Sequence, residues 1–221
     1  MTLRLIVFDV DGTLIDSQRE ICAAMRAAYA DLDVAPPPDD AILSIVGLSL
    51  PQAIRRLAPE LSEQRQDALA NGYRAHFARA RRAGALPPLY PGARGLLDAL
   101  AAQDDTLLGI ATGKSRRGLV ELLEMHGLGA RFLTMQVADD HPSKPHPAML
   151  HAALAATGVE AGAATMIGDT EFDMEMARMA GLRGLGAGWG YHDAARLRAA
   201  GAEQVLPDMK ALGAVLGAGR A

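Results

Sequence analysis

Leu5-Ile6-Val7-Phe8-Asp9-Val10-Asp11-Gly12-Thr13-Leu14 is the stretch on which the reading of this 221-residue chain turns. Four apolar residues, two of them β-branched, run unbroken into an aspartate, the pattern of a strand buried on both faces of a parallel sheet. Three further runs share that pattern, at 107–111, 132–137 and 164–167, with shorter ones at 183–187 and 204–206. Helical patterning fills the intervals near 92–103, 115–127, 145–157 and 171–181. Strands alternating with helices predict an α/β fold, a Rossmann-like, doubly wound parallel sheet.

Residues 16–86 break the alternation. They hold no convincing strand, but amphipathic helical segments near 17–31, 39–46, 50–58 and 62–83. Pro36-Pro37-Pro38 separates the first two, and Pro87-Pro88 with Pro91-Gly92 marks the return to the α/β pattern. The expected organisation is a discontinuous α/β core, 1–15 plus 87–221, with a helical domain inserted at 16–86.

Composition removes several function classes. Twenty-two basic against 26 acidic residues leave a net charge of −4, and aromatics are 4% of the chain, so neither a phosphate-binding face nor a base-stacking platform is expected. Cys22 is the single cysteine, which excludes an internal disulfide and suits a reducing compartment. Asp9 and Asp11 interrupt the first apolar run, and no uncharged stretch approaches the ~20 residues of a spanning helix. A cytoplasmic protein is expected, with no nucleic-acid or membrane partner; no feature announces an oligomeric state.

The strand ends carry the polar residues, and in open α/β sheets ligands gather there. Asp9 and Asp11 place two carboxylates two residues apart, one able to attack as a nucleophile while the other handles a proton. A solvated turn or calcium loop is the plain alternative. Asp169 and Asp173 follow the 164–167 run; with Asp9 they offer hard oxygen ligands for Mg²⁺, and they equally suit a helix N-terminus. Lys144 lies between prolines in His141-Pro142-Ser143-Lys144-Pro145-His146-Pro147, either fixed over the strand ends or solvated like most lysines. Thr112 and Gly113 offer a hydroxyl and an N–H to phosphate oxygens, or form an ordinary strand-to-helix turn. Gly184 to Gly190 misses the dinucleotide spacing and reads as a loop at the site's edge; Met174, Met176 and Met179 read as helix packing.

The order of these pieces resembles the haloacid dehalogenase-like hydrolase superfamily. Asp9 to Leu14 is similar to its first motif, Thr112 to its second, Lys144-Pro145 to its third, and Gly168-Asp169-Thr170 through Asp173 to its fourth. The helical insertion falls where that family carries its small cap domain. The resemblance implies that Asp9 is the nucleophile of an aspartyl-phosphate intermediate and Asp11 the acid and base. It implies Mg²⁺ held by the Asp9 carboxylate, the Asp11 carbonyl and Asp169, with Asp173 behind them. Thr112, Gly113 and Lys144 would neutralise the phosphoryl group.

Within the superfamily, Asp11 favours phosphoryl transfer over dehalogenation. The absence of lysine from 16–85 argues against a phosphonatase Schiff base, and Leu50 after Gly47-Leu48-Ser49 replaces a mutase arginine. The pattern most resembles the phosphoglycolate phosphatases and pyrophosphatase-like neighbours. The expectation is a Mg²⁺-dependent phosphatase of a small phosphorylated metabolite, 2-phosphoglycolate first, with Arg55 offered to its anionic tail. A phosphomutase and a phospho-ligand-binding protein are the alternatives.

Overall fold

The computed structural model describes residues 3–218. β1 (Arg4–Phe8) is flanked by β2 (Thr106–Thr112) and β4 (Ala164–Gly168). Beyond them lie β3 (Thr134–Val137) on one side, and β5 (Arg183–Ala187) and β6 (Gln204–Leu206) on the other. All neighbours are parallel, in the order β3-β2-β1-β4-β5-β6. The chain therefore winds outward in both directions from β1, and the reversal opens a crevice at the carboxyl ends of β1 and β4.

Strand alternation assigns the two faces. Ile6 and Phe8 pack into a layer with Leu96 and Leu97 of α5 (Ala93–Ala101), Leu119 of α6 (Arg116–His126) and Leu212 of α10 (Met209–Leu216). Leu5 and Val7 face Met149 and Leu150 of α7 (Ala148–Thr157) and Met176 of α8 (Glu171–Ala180). Burying each such side chain contributes roughly 1.5–3 kcal/mol, so β1, clothed on both faces, is firmly anchored. That is why its sequence is an unbroken apolar run.

Between β1 and α5 the chain forms α1 (Gln18–Ala30), α2 (Asp39–Leu43), α3 (Leu50–Leu57) and α4 (Glu63–Arg82). Ile21, Met25, Tyr29, Ile54 and Leu69 build a hydrophobic cluster separate from the two faces of the sheet. Gly72 lets α4 approach α1 closely: a Cβ there would lie 3.3 Å from that of Ala28. Cys22 is buried in this cluster.

Several local expectations change. α9 (Ala194–Ala199) and α10 are helices the periodicity did not mark, being short and set among glycines; Asp193 and Asp208 cap them through Arg196 N and Ala211 N. Residues 184–187 belong to β5, so only Gly188–Gly190 forms a turn at the crevice. Met174 and Met176 are buried as expected, but Met179 is 52% exposed on the outer face of α8. Among the described residues, no helix is long and apolar enough to cross a membrane.

Candidate active site

Register delivers the acids to one place. Phe8 is aligned with Ile110 of β2 and Ile167 of β4, so Asp9 comes level with Ala111 and Gly168, each one residue before Thr112 and Asp169. Asp9 N donates to Ile167 O at 2.9 Å, carrying the ladder one residue beyond the strand. The turn that follows passes directly against Asp169. Gly12 has φ +78°, and a Cβ on it would sit 2.1 Å from Asp169 Oδ2, so no other residue fits there. Thr13 Oγ1 donates to Asp169 Oδ1 at 2.8 Å, and Tyr191 N donates to Oδ2 at 2.9 Å.

Lys144 is completely buried rather than solvated. Its Nζ donates to Asp173 Oδ1 at 2.6 Å and stands 2.9 Å from Asp9 Oδ1. Asp173 Oδ2 meanwhile accepts from Thr170 N (3.1 Å) and Thr170 Oγ1 (2.7 Å), closing a capping box at the start of α8. Asp173 thus caps its helix with one oxygen and steers the lysine with the other, and both readings of this residue apply at once. Its tight packing extends to Gly168, where a Cβ would fall 2.3 Å from that of Asp173.

Three buried carboxylates, of Asp9, Asp169 and Asp173, face a single buried ammonium. Burial pushes the Asp9 carboxyl up to about 7; Lys144 opposes that rise, and Asp173 and Asp11 add to it. Asp169 is likewise held well above the ordinary carboxylate value by burial and then by Asp9 and Asp173. Burial alone would depress Lys144, but Asp173 and Asp9 outweigh it and hold the ammonium above the usual lysine value.

The cluster thus sets three acids against one cation. Each of the three acids presents an oxygen within 4.8 Å of the others, and neither Asp9 oxygen takes a well-directed hydrogen bond from a described residue. A buried carboxylate that meets Lys144 on Oδ1 and has no partner on Oδ2, set among other hard oxygen donors, fits a divalent cation. Asp9 and Asp169 are the better placed to supply ligands: each Asp169 oxygen accepts a single hydrogen bond, whereas Asp173 holds Lys144 on one oxygen and both Thr170 donors on the other.

The Asp9 end opens into a cavity of about 500 Å³ between the strand ends and the helical segment. Asp11, Thr112, Gly113 and Lys114 line one wall; Gly47, Leu48, Tyr73, Phe77 and Arg81 line the other. Asp11 is held on both oxygens, by the Ser17 hydroxyl on Oδ1 and by Lys114 Nζ at 2.8 Å from Oδ2. The two sides are docked together: Ser49 N donates to Ser143 Oγ at 2.7 Å, and His192 Nε2 meets Ser44 O at 3.1 Å. At Gly113 a Cβ would lie 2.5 Å from Leu48 O and 2.6 Å from Gly47 O, so the loop before α3 rests on the bare backbone after β2.

Of the residues expected at the site, Asp9, Asp11, Thr112, Gly113, Lys144, Asp169 and Asp173 lie together at the strand ends. Arg55 does not join them. Ala53 and Ile54 form the buried face of α3, and the next two positions, Arg55 and Arg56, turn outward. Arg56 instead stacks over Phe172, 5.3 Å from the ring centre, and lies 3.8 Å from Glu171. Ser17 and Arg81 were not expected. Ser17 is a conventional N-cap type that spends its hydroxyl on Asp11, and Arg81 is one of three basic residues in the last turn of α4, where cations favour the helix C-terminus.

A parallel sheet with its acids, a buried lysine and a cavity at the switch point defines a doubly wound α/β protein whose candidate site is built around a strand-end carboxylate. Residues 6–187 match the family described as haloacid dehalogenase-like hydrolase, and the chain belongs to that family. It is 36% identical to a protein described as a probable phosphatase, IndB, from Dickeya dadantii, over 92% of this chain and 89% of that one. It is 33% identical to a phosphoglycolate phosphatase from Rhodospirillum rubrum, over 97% of this chain and 91% of that one. The crystal structure of a hydrolase from Pseudomonas syringae superposes with a TM-score of 0.85 at 26% identity, covering 98% of both chains. A haloacid dehalogenase-like family protein from Streptococcus pneumoniae gives 0.83 at 26%, over 97% and 98%. The protein is a phosphatase-type hydrolase of this family.

Proposed function

We propose that the protein is a Mg²⁺-dependent phosphatase of a small phosphorylated metabolite, with 2-phosphoglycolate as the leading substrate. The observation that carries this reading is the Asp9 carboxylate, buried at the end of β1, without a directed hydrogen bond, and open on one side to the cavity. The likeness to phosphatases, several of them phosphoglycolate phosphatases, supports the substrate.

In this mechanism an Asp9 oxygen attacks phosphorus as the bond to the leaving oxygen breaks, and Asp11 gives its proton to that oxygen. Asp11 then takes a proton from a water molecule whose oxygen attacks the phosphoryl group, which restores Asp9 and releases inorganic phosphate. Thr112 and the Gly113 N–H receive the phosphoryl oxygens, and the Lys144 ammonium supplies positive charge beside the nucleophile. Bound Mg²⁺, held by Asp9, Asp169 and the Asp11 carbonyl, would neutralise phosphoryl charge and bring nucleophile and substrate together. Asp173 keeps Lys144 aimed at Asp9, and Ser17 with Lys114 orients Asp11.

Residues 16–86 would serve as the cap domain, closing over the site and excluding water. Hydrolysis of phosphorylated metabolites in Mg²⁺ should be compared by kcat/KM, with inorganic pyrophosphate and sugar phosphates in the same panel. The reading stands if 2-phosphoglycolate leads and Asp9→Asn is inactive. A phosphorylated isomer as product would establish a mutase instead. Binding without turnover would leave a phospho-ligand-binding protein.

A further inference from the structure

Arg81, at the C-terminal end of α4, is a buried cation with idle donors. Its side chain is 8% exposed, and Nη1 donates to Gly118 O at 2.8 Å and lies 3.5 Å from Glu121 Oε2. Nε and Nη2 are buried and meet no acceptor. Buried polar atoms are rarely left unpaired, and a guanidinium with unused N–H groups is among the costlier cases.

The two idle atoms share one edge of the guanidinium. Nε–H and Nη2–H form the parallel fork that matches the two oxygens of a carboxylate, whereas Nη1 is already spent on the backbone of α6. The residue lines the cavity that also holds Asp9 and Asp11. Arg81 Cζ and Lys114 Nζ each stand over the Phe77 ring, at 5.2 and 5.1 Å from its centre, and Lys114 in turn pairs with Asp11. The side-chain chain Asp11–Lys114–Phe77–Arg81 thus runs from the group that would meet the leaving oxygen to the idle fork.

We infer that Arg81 is the residue that selects the substrate, by taking a carboxylate on its leaving group in a bidentate pair through Nε and Nη2. The inference rests on the phosphatase reading and narrows it to phosphomonoesters of short hydroxy acids. It also replaces Arg55, which points away from the cavity. Both idle atoms are shut off from bulk water in the docked arrangement, so the carboxylate engages them as the helical segment settles over the bound substrate.

The test compares 2-phosphoglycolate with ethyl phosphate, which has a methyl group in place of the carboxylate. Dissociation constants are measured by calorimetry with Mg²⁺ in the Asp9→Asn background, so that the result does not depend on turnover. The unsubstituted fork should favour 2-phosphoglycolate by at least about 30-fold, since a site built for a charged partner rejects the analogue lacking it. Arg81→Met should bring the ratio close to one. Arg81→Lys, which keeps the charge and loses the fork, should restore part of it. A ratio that survives Arg81→Met within about threefold overturns the inference, as does a ratio near one with Arg81 present. Failure of the parent protein to hydrolyse either ester is a separate result and counts against the phosphatase reading. If Arg81→Met does not fold, Arg81→Lys alone decides: an unchanged ratio overturns the inference and a reduced one supports it.

Discussion

The Lys144 ammonium is bonded to the Asp173 carboxylate at 2.6 Å, with both side chains wholly out of water. Removing the lysine strands Asp173 and Asp9 as buried charges without a cation. Lys144→Met should therefore lower stability by about 3–5 kcal/mol, as breaking a buried pair does, and cost turnover as well. Urea unfolding measures the first effect and steady-state kinetics the second. A variant of parental stability would show that the three acids tolerate one another without Lys144.

Asp9→Asn acts in opposite directions on stability and catalysis. It relieves charge in a pocket whose burial already pushes the carboxyl up to about 7, so the metal-free variant should melt above the parent. Turnover should fall by at least about 10³-fold, because the amide cannot attack phosphorus. Thermal melts in EDTA and a stopped phosphate-release assay read the two outcomes. Retained activity would remove Asp9 from the nucleophile's role.

The raised acids set the pH dependence of the metal-free protein. A carboxyl whose folded pKa lies above its unfolded value holds its proton more tightly when folded, so its contribution is full at low pH and lost as pH rises. For Asp9 that loss spans about pH 4 to about 7, and Asp169 acts in the same direction. In EDTA the melting temperature should fall across this window. Mg²⁺ should reverse the fall, with proton release on binding near pH 7, detectable by titrating calorimetrically in buffers of different ionisation enthalpy. Melting temperatures that rise with pH in EDTA would contradict the assignment.

Gly113→Ala tests the contact between the loop before α3 and the end of β2. The new methyl would meet Leu48 O and Gly47 O at 2.5 and 2.6 Å, so the loop must lift. Overpacking of this kind costs about 1–3 kcal/mol. The expected signature is a KM raised about tenfold with a smaller change in kcat, as for lost uniform binding. A change confined to kcat would place the defect at the reacting atoms instead of the docking.

The sequence carried the strand-end acids plainly, because each follows directly on an apolar run whose burial is unambiguous. Asp9 and Asp169 needed only the inference that two such runs lie side by side. Lys144 was legible through its rigid proline setting, yet its complete burial depends on Asp173 reaching it from another element. Arg81 was hidden for the converse reason. Its place in the cavity depends on how α4 packs along α1, a tertiary fact no local pattern encodes, while its local signal, a basic residue in the last turn, is commonplace. Arg55 was the reverse error: a basic residue in the right stretch of sequence, one helical step past the buried face.

The pairing of Phe8 with both Ile110 and Ile167 has a bearing on durability. The acids on which the chemistry would depend start from main-chain ladders in the middle of the sheet, and Thr13 and Tyr191 fix the Asp169 carboxylate from the adjoining turns. Agitation of the surface can change how often a guest is admitted, but it cannot disperse Asp9 and Asp169 while the two central strands remain zipped. Substrate preference can thus be rewritten on the helical side of the cavity without disturbing the central strands that carry the carboxylates beneath it.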